Sequence, residues 1–348
     1  MSQTTRPAAP VGRLPMLDAL RGVAALGVVL HHEAPLYGAP GLFPRAYLAV
    51  DFFFMLSGFV LTLAFEPKMR GGMATGDFLV RRVARLWPVL AVGVLIGAGW
   101  RLWIGATGQL WLLTLCGLLL VPLRRGPGGL YPINGPQWSL AYELLANAAH
   151  ALVLARLGNR ALLVFVLAGA GMLAWCAYVW GSVGLGDTGR NWWGGFARVG
   201  FGYGMGVWLG RKFAAGRAPV GAGLAWAGGL ALPLALFSLP WWPLGVVAGD
   251  LLAVFVIFPP ALWCAAHVVL GGGALKIADG LGRLSYPAYA IHGPVLIWGA
   301  WLAHRHGAQA AMIRPLTLVA VLALAALLAI SPLAHGIPAN WITGRRKG

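Results

Sequence analysis

Eleven long apolar runs occupy most of this chain and limit the folds open to it. They are centred near Ala25, Leu56, Val94, Leu115, Ala146, Val166, Gly204, Leu230, Val256, Ile291 and Ala323. A soluble domain carries about 25% charged residues, whereas 10% of these 348 residues are charged and 59% are hydrophobic. Because a spanning helix needs about 20 apolar residues, the pattern predicts an all-α polytopic membrane protein.

The run at residues 109–122 decides how many helices cross the membrane, because about 10 to 14 apolar residues more often re-enter than span. If it does not span and the N-terminus is inside, 18 of the 26 Lys and Arg residues lie on the inner side and 8 on the outer side; otherwise the division is 14 to 12. Since Lys and Arg are retained in the cytoplasm, we predict about ten transmembrane helices in a bacterial inner membrane, with both termini cytoplasmic. Residues 1–15 are then a disordered tail, 16–338 the membrane domain and 339–348 a basic tail.

Composition also excludes some functions. The net charge of +17 comes from Lys and Arg at the borders of apolar runs, so we expect no nucleic-acid partner, which requires a basic stripe with interleaved aromatics. Cys116, Cys176 and Cys264 lie inside apolar runs without metal-ligand spacing, and we expect no metal. Glycines such as those of GFGYGMGVWLG are expected to form helix-packing faces.

The first apolar run carries Arg21 and His32, eleven positions apart. At 100° per residue they share nearly the same helix face, about 16 Å apart along the axis. A charged group at membrane depth costs about 2.5–3.5 kcal/mol, which favours a functional role. The alternative is an arginine that reaches the inner interface and a histidine that bonds a backbone carbonyl. His31 points roughly 100° away and is the weaker candidate.

The second run, YLAVDFFFMLSGFVLTLAF, contains Asp51 and Ser57. Serine in a membrane helix usually bonds its own backbone or bridges helices, so Ser57 has a structural interpretation. In the next segment, FLVRRVARLWP, Arg82 and Arg85 are spaced i, i+3 and lie side by side. Two adjacent guanidinium groups suit the phosphates of a nucleotide-like ligand, although topology anchoring is the alternative.

Two further segments carry polar residues inside apolar runs. In PQWSLAYELLANAAH, Ser139 and Glu143 are spaced i, i+4, and His150 follows on the same face. A carboxylate in an apolar helix is functional by default, and in the ten-span arrangement Glu143 lies near the outer end, at a depth similar to that of His32. In RLSYPAYAIHGPV, His292 lies between two prolines that can kink the helix, and both packing and a site role remain open.

Five segments, in this order and spread over essentially the whole chain, resemble the acyltransferase-3 family of integral membrane acyltransferases, which modify surface and secreted glycans. They are LDALRGVAALGVVLHH, VDFFFMLSGFVLTL, FLVRRVARLWP, QWSLAYE and GRLSYPAYAIH. The resemblance implies a ten-helix fold with a cytoplasmic acyl-CoA donor and His32 as the essential residue. It also implies that Arg82 and Arg85 are the donor-site arginine pair.

Ser139 and Glu143 match the Ser-to-Glu pair of the family's Trp-Ser-Leu segment. Here the segment reads WSLAYELLAN, whereas the family commonly has a second acid and an aromatic after the Glu. We expect no soluble esterase-like domain of the kind fused to some relatives; if a periplasmic transferase finishes the transfer, we expect it to be a separate protein.

We therefore expect a membrane O-acetyltransferase that moves acetyl from acetyl-CoA to a hydroxyl of a carbohydrate or glycolipid acceptor. The alternative is a transporter or flippase of a polar or glycan substrate, since buried charges occur in that class too. A sugar hydroxyl needs its proton removed as it attacks a thioester, and an imidazole with a pKa of about 6.5 suits that task. An acetyl-imidazole intermediate is an alternative use of the same residue.

The expected site has three parts and no metal. His32 is the expected base and Glu143 its orienting or proton-relay partner. The donor-binding residues are Arg21, Arg82 and Arg85, and the supporting residues are Asp51, Ser57, Ser139 and His292.

Overall fold

A computed structural model describes residues 13–38, 41, 43–124, 128–216, 220–307 and 310–337. Within these ranges the chain forms twelve α-helices and no β-strand, so the predicted all-α fold is confirmed for the part described. Most of the tail predicted at residues 1–15, and all of the tail predicted at 339–348, lie outside the described residues.

The helices vary widely in length. They are α1 (Pro15–Leu36), α2 (Ala49–Arg70), α3 (Thr75–Trp103), α4 (Leu110–Leu118), α5 (Trp138–Leu152), α6 (Asn159–Trp180), α7 (Gly194–Ala215), α8 (Ala222–Ser238), α9 (Val246–Leu252), α10 (Phe258–Ala265), α11 (Gly272–His306) and α12 (Ala310–Ile330). A π-helical turn at Ala253–Ile257 joins α9 and α10 into one continuous helix. Short 3-10 turns precede α2 and α5.

Six helices in the described ranges are long and apolar enough to cross a membrane. They are Ala46–Arg70, Thr75–Trp103, Asn159–Trp180, Ala222–Trp241, Val246–Ala265 and Ala311–Ile330. The remaining longer helices, α1, α5, α7 and α11, carry five of the ten buried Asp, Glu, Arg and His residues in the described ranges. The chain is therefore a multi-pass membrane protein by length and composition, while ten spans and cytoplasmic termini remain predictions.

The short helix α4 packs along α3. At nine residues it is about 14 Å long, well short of the roughly 30 Å of bilayer hydrocarbon. The Trp87 indole donates to the carbonyl of Leu118 at its C-terminal end (2.9 Å), and the returning chain packs Ile133 against Gly97 of α3. Segments 110–124 and 128–133 thus run along α3 and back again.

Glycines bring α7 into close contact with α2. A Cβ at Gly202 would meet the Asp51 carbonyl, one at Gly206 would overlap the Met55 carbonyl, and one at Gly210 would press on Phe59. Because these glycines recur every four residues, they form one face along which the backbones approach closely. The predicted packing role of the α7 glycines is confirmed.

Helices α1 and α11 form the other extensive contact and run in the same direction. Near their N-terminal ends Gly22 packs against Leu281, and near their C-terminal ends His304 approaches the carbonyl of Leu36 (3.3 Å). Side chains near the N-terminal end of α1 therefore face the N-terminal part of α11, and side chains near the C-terminal end of α1 face the C-terminal part of α11.

The start of α5 lies inside the protein. Asn134 and Gln137, just before the helix, are 2% and 1% exposed, and the Asn134 amide donates to the carbonyl of Ala290 (2.9 Å). Non-helical backbone is tolerated at membrane depth only where protein surrounds it or a cavity adjoins it. The 15-residue α5 is too short to span the roughly 30 Å of bilayer hydrocarbon by itself, and segment 133–137 adds to its length.

Candidate active site

Arg21 of α1 lies against the N-terminal half of α11. Its Nε donates to the Ser285 hydroxyl (2.9 Å) and its Nη2 to the Gly282 carbonyl (2.9 Å). An ion pair with Asp18, one turn earlier on α1, completes its contacts (3.1 Å). The predicted face of α1 is therefore the face that meets α11.

Arg82 of α3 meets Glu143 of α5 and Ser57 of α2. The Arg82 Nη2 and the Ser57 hydroxyl both donate to Glu143 Oε1, each at 2.8 Å. Arg82 is only 8% exposed. Its Nε is buried and has no hydrogen-bond partner among the described residues. Arg85, one turn further on, is exposed and makes no hydrogen bond or salt bridge to any described residue.

These residues form one cluster, because Arg85 is electrostatically coupled to Arg82, Arg21 and Glu143. We call Arg21, Arg82, Arg85 and Glu143 the arginine cluster. It holds three guanidinium groups against the carboxylates of Glu143 and Asp18, and donor hydrogens on Arg82 and Arg85 have no partner in the part of the chain that the structure describes. Such a site suits the phosphates of an anionic ligand.

His32 and His292 form a second centre, the histidine pair, one level further along α1 and α11. His32 Nδ1 lies 2.9 Å from the Val28 carbonyl and 3.3 Å from His292 Nε2. His292 Nδ1 lies 2.7 Å from the carbonyl of Tyr289. His292 is fully buried and His32 is half-buried, so the structure places His292 beside the predicted base.

Ser139 adjoins the histidine pair through Tyr289. Its hydroxyl lies 2.6 Å from the Tyr289 hydroxyl and donates to the Pro136 carbonyl (3.2 Å). The Tyr289 and His292 rings stack with centroids 5.7 Å apart. His31, the weaker candidate, faces His32 edge-on at 5.2 Å and approaches the carbonyl of Phe43.

The structure does not contain the predicted direct contact between His32 and Glu143. Glu143 bonds Ser57 and Arg82, whereas the ring of His32 bonds Val28 and His292. The physical reason is helix packing: Glu143 lies where α5 meets α2 and α3, whereas His32 lies where α1 meets α11. Glu143 therefore belongs to the arginine cluster.

Asp51 is enclosed in a buried ion pair. Arg198 of α7 donates to both of its oxygens (3.0 and 2.7 Å), and also to the carbonyls of Leu185 (2.9 Å) and Tyr47 (3.1 Å). Arg198 lies one turn into α7 and is 2% exposed. Its burial follows from pairing with Asp51, which no local pattern reveals.

Two other polar networks were not predicted from the sequence. Glu66 accepts hydrogen bonds from the Arg211 guanidinium (2.8–3.0 Å) and lies 3.1 Å from His150, so His150 joins this network rather than the site. Asp250, 0% exposed, accepts a hydrogen bond from the Tyr47 hydroxyl (2.7 Å). An acid inside the run centred near Val256 was the available signal for Asp250.

The described part of the chain contains no group of three or more His, Cys, Asp or Glu placed to hold a metal ion. The candidate site therefore has two polar centres. The arginine cluster joins Arg21 of α1 to residues of α3 and α5, and the histidine pair joins α1 to α11.

Comparison with known proteins identifies the family. The model of acyltransferase family 3, described as an acyltransferase domain, matches residues 14–334. The chain belongs to this family and is a membrane acyltransferase, as the five segments predicted.

Relatives with descriptive names point the same way. A candidate membrane-bound transacylase of Komagataeibacter xylinus, BcsY, is 28% identical over 338 positions that cover 89% of this chain and 80% of the relative. Protein 2 in the picA locus of Rhizobium radiobacter is 35% identical over 161 residues, which are 41% of this chain and 83% of the relative. A candidate O-acetyltransferase of Staphylococcus aureus is 33% identical over 85 residues, 24% of this chain and 13% of the relative. No solved structure gave a significant match.

Proposed function

We propose that this enzyme transfers an acetyl group from cytoplasmic acetyl-CoA to a hydroxyl of a carbohydrate or glycolipid acceptor at the outer side of a bacterial inner membrane. The observation that carries the proposal is that α1 supplies Arg21 to the arginine cluster and His32 to the histidine pair, and that both side chains contact the parallel helix α11. Arg21 and His32 are about 16 Å apart along α1.

The arginine cluster suits the nucleotide end of the donor. Arg85 is unbonded within the described residues and Arg82 keeps a free Nε, so both can donate to phosphate oxygens without first breaking an ion pair. The long pantetheine arm then extends along α1 and carries the thioester toward His32. Glu143 balances the guanidinium charge and orients Arg82.

The histidine pair supplies the base. As the acceptor oxygen bonds the thioester carbonyl carbon, its proton passes to His32, and the carbon–sulfur bond breaks. The proton on His32 then goes to the departing thiolate, which leaves as coenzyme A. The alternative is a covalent route: His32 attacks the thioester carbonyl carbon and coenzyme A leaves as the carbon–sulfur bond breaks. The acceptor oxygen then bonds the same carbon, and the carbon–nitrogen bond to His32 breaks.

The directions of the packed helices support a ten-span arrangement. Helices α2 and α7 run parallel, as the pairs Asp51–Arg198 and Glu66–Arg211 require, and α1 and α11 run parallel. In the ten-span count α2 and α7 are even spans and α1 and α11 are odd spans. A spanning α4 would reverse α7 relative to α2 and α11 relative to α1.

The test measures release of coenzyme A thiol from acetyl-CoA by the purified protein in detergent, with a glycan acceptor present. We expect His32→Ala to lower the rate about a hundredfold or more, the usual loss for a general base. His304→Ala is the matched control, because His304 is exposed and lies outside both centres. A transporter would release no thiol, and near-normal turnover by well-folded His32→Ala protein would contradict the proposed base.

A further inference from the structure

The contacts of the two rings of the histidine pair determine the tautomer of each ring. We infer that His292 is a positioning residue that holds His32 with its proton on Nδ1, so that Nε2 of His32 is the nitrogen that accepts the proton of the acceptor hydroxyl. The inference rests on the proposed function for its chemistry, and on contacts within the pair for its geometry.

The tautomer of His292 follows from its own turn of α11. Its Nδ1 lies 2.7 Å from the Tyr289 carbonyl, and a carbonyl oxygen only accepts hydrogen bonds. Nδ1 of His292 must therefore carry a proton. The ring is 0% exposed, and a buried unpaired charge is costly, so the ring is neutral. Its Nε2 then has no hydrogen and presents a lone pair.

The tautomer of His32 follows from two neighbours that both accept. Nδ1 of His32 faces the Val28 carbonyl (2.9 Å) and the lone pair on His292 Nε2 (3.3 Å). A bare Nδ1 would oppose two acceptors, whereas a protonated Nδ1 donates to both in a shared hydrogen bond. Nε2 of His32 is then bare, and it has no hydrogen-bond partner among the described residues. The basic nitrogen is the one left free.

His292 has an effect that Val28 does not have. The Val28 carbonyl also accepts the backbone N–H of His32 within α1, so it contributes only part of its accepting capacity to the ring. As His32 takes a proton from the acceptor, positive charge spreads to Nδ1, and the His292 lone pair stabilises it. A buried carboxylate performs this service in hydrolase triads; here a neutral imidazole does, and it leaves no charge to bury between reactions.

The first experiment reads the tautomer directly. Full-length protein carrying 15N-labelled histidine rings is purified in detergent, and long-range 15N–1H spectra separate protonated from bare ring nitrogens. The His32 signals are those lost in His32→Asn. We expect a protonated Nδ1 and a bare Nε2 in the wild-type protein, and a mixture of the two tautomers in His292→Leu. A wild-type His32 with its proton on Nε2 would overturn the inference.

The second experiment separates positioning from packing. We expect His292→Leu to lower kcat about tenfold, the scale of losing an outer-shell partner, with KM for acetyl-CoA within about twofold. His292→Gln keeps an accepting oxygen near the position of Nε2 and should recover most of kcat. His267→Leu is the matched control, because His267 makes the same kind of backbone bond, to Trp263 (2.8 Å), away from the site.

The outcomes are distinct. Equal loss of kcat in His292→Leu and His292→Gln, with equally lowered thermal midpoints, would overturn the inference in favour of packing, and so would unchanged kcat in His292→Leu. Absence of thiol release by the wild-type protein would instead refute the proposed function, and the spectra would still decide the tautomer.

Discussion

Two ion pairs lie on α2 and its neighbours, and they differ in how completely their hydrogen-bonding groups are used. In the Asp51–Arg198 pair both carboxylate oxygens accept from the guanidinium, which also reaches two carbonyls, and the side chains are 0% and 2% exposed. In the Arg82–Glu143 pair a single oxygen accepts, Arg82 Nε has no partner among the described residues, and the Glu143 side chain is 18% exposed.

The difference separates a structural charge from a functional one. In the saturated pair every guanidinium nitrogen already donates to a protein acceptor, so breaking the pair affects the fold. An unsaturated pair keeps donors in place that only a ligand can use, and a buried donor without a partner calls for an explanation. We therefore interpret Asp51 as a supporting residue that anchors α7, and Arg82 as a residue that binds substrate.

The largest expected effect tests the saturated pair. Arg198→Met leaves the Asp51 carboxylate buried and alone, and removing one partner of a buried pair costs about 3–5 kcal/mol. We expect Arg198→Met to be nearly absent from membranes, and the double variant Asp51→Leu, Arg198→Met to recover much of its abundance, because two apolar groups leave no buried charge. The measurement is membrane abundance together with the thermal midpoint in detergent.

Arg82→Met makes the same chemical change in the unsaturated pair and serves as the comparison. Because the partner Glu143 is partly exposed, we expect this variant to remain folded and to lose donor binding. A fold equally damaged by both single substitutions would erase the distinction between the two pairs.

The part of the site that follows helical periodicity could be predicted from the sequence. Arg21 and His32 share a face of α1 because they are eleven residues apart, and both do contact α11. The partners of Glu143 could not be predicted, because they depend on where segment 133–137 ends and α5 begins. The pairing of Arg198 with Asp51 could not be predicted either, because the two residues are 147 positions apart in the chain and no local pattern links them.

A smaller effect is expected at Arg85, which belongs to the unsaturated side of the comparison. Arg85→Lys keeps the charge but loses the planar fork that grips a phosphate. Since hydrogen bonds to charged groups are worth about 1.5–3 kcal/mol and lysine retains one of them, we expect acetyl-CoA binding to weaken about tenfold by calorimetry in detergent.

Arg81→Lys is the matched control for that measurement. Arg81 is also exposed and lies on the same helix, but it is not a member of the arginine cluster. Equal affinities for wild-type and Arg85→Lys protein would return Arg85 to the role of topology anchor, whereas equal weakening in both variants would indicate a general charge effect.

The smallest expected effect distinguishes two hydroxyls on α2. Thr62 donates to the Gly58 carbonyl of its own helix (2.8 Å), as hydroxyls in membrane helices commonly do, whereas Ser57 donates to Glu143 on another helix. Ser57→Ala therefore removes one of the two hydrogen bonds that hold Glu143 Oε1, a net loss of about 0.5–1.5 kcal/mol. With Glu143 held only by Arg82, both side chains gain freedom, and we expect KM for acetyl-CoA to rise about threefold at an unchanged thermal midpoint.

Thr62→Val is the matched control for Ser57→Ala, because it preserves the shape of the side chain, and it should leave KM for acetyl-CoA unchanged. A lowered midpoint in Ser57→Ala without a change in KM would place Ser57 with Thr62 among the structural hydroxyls.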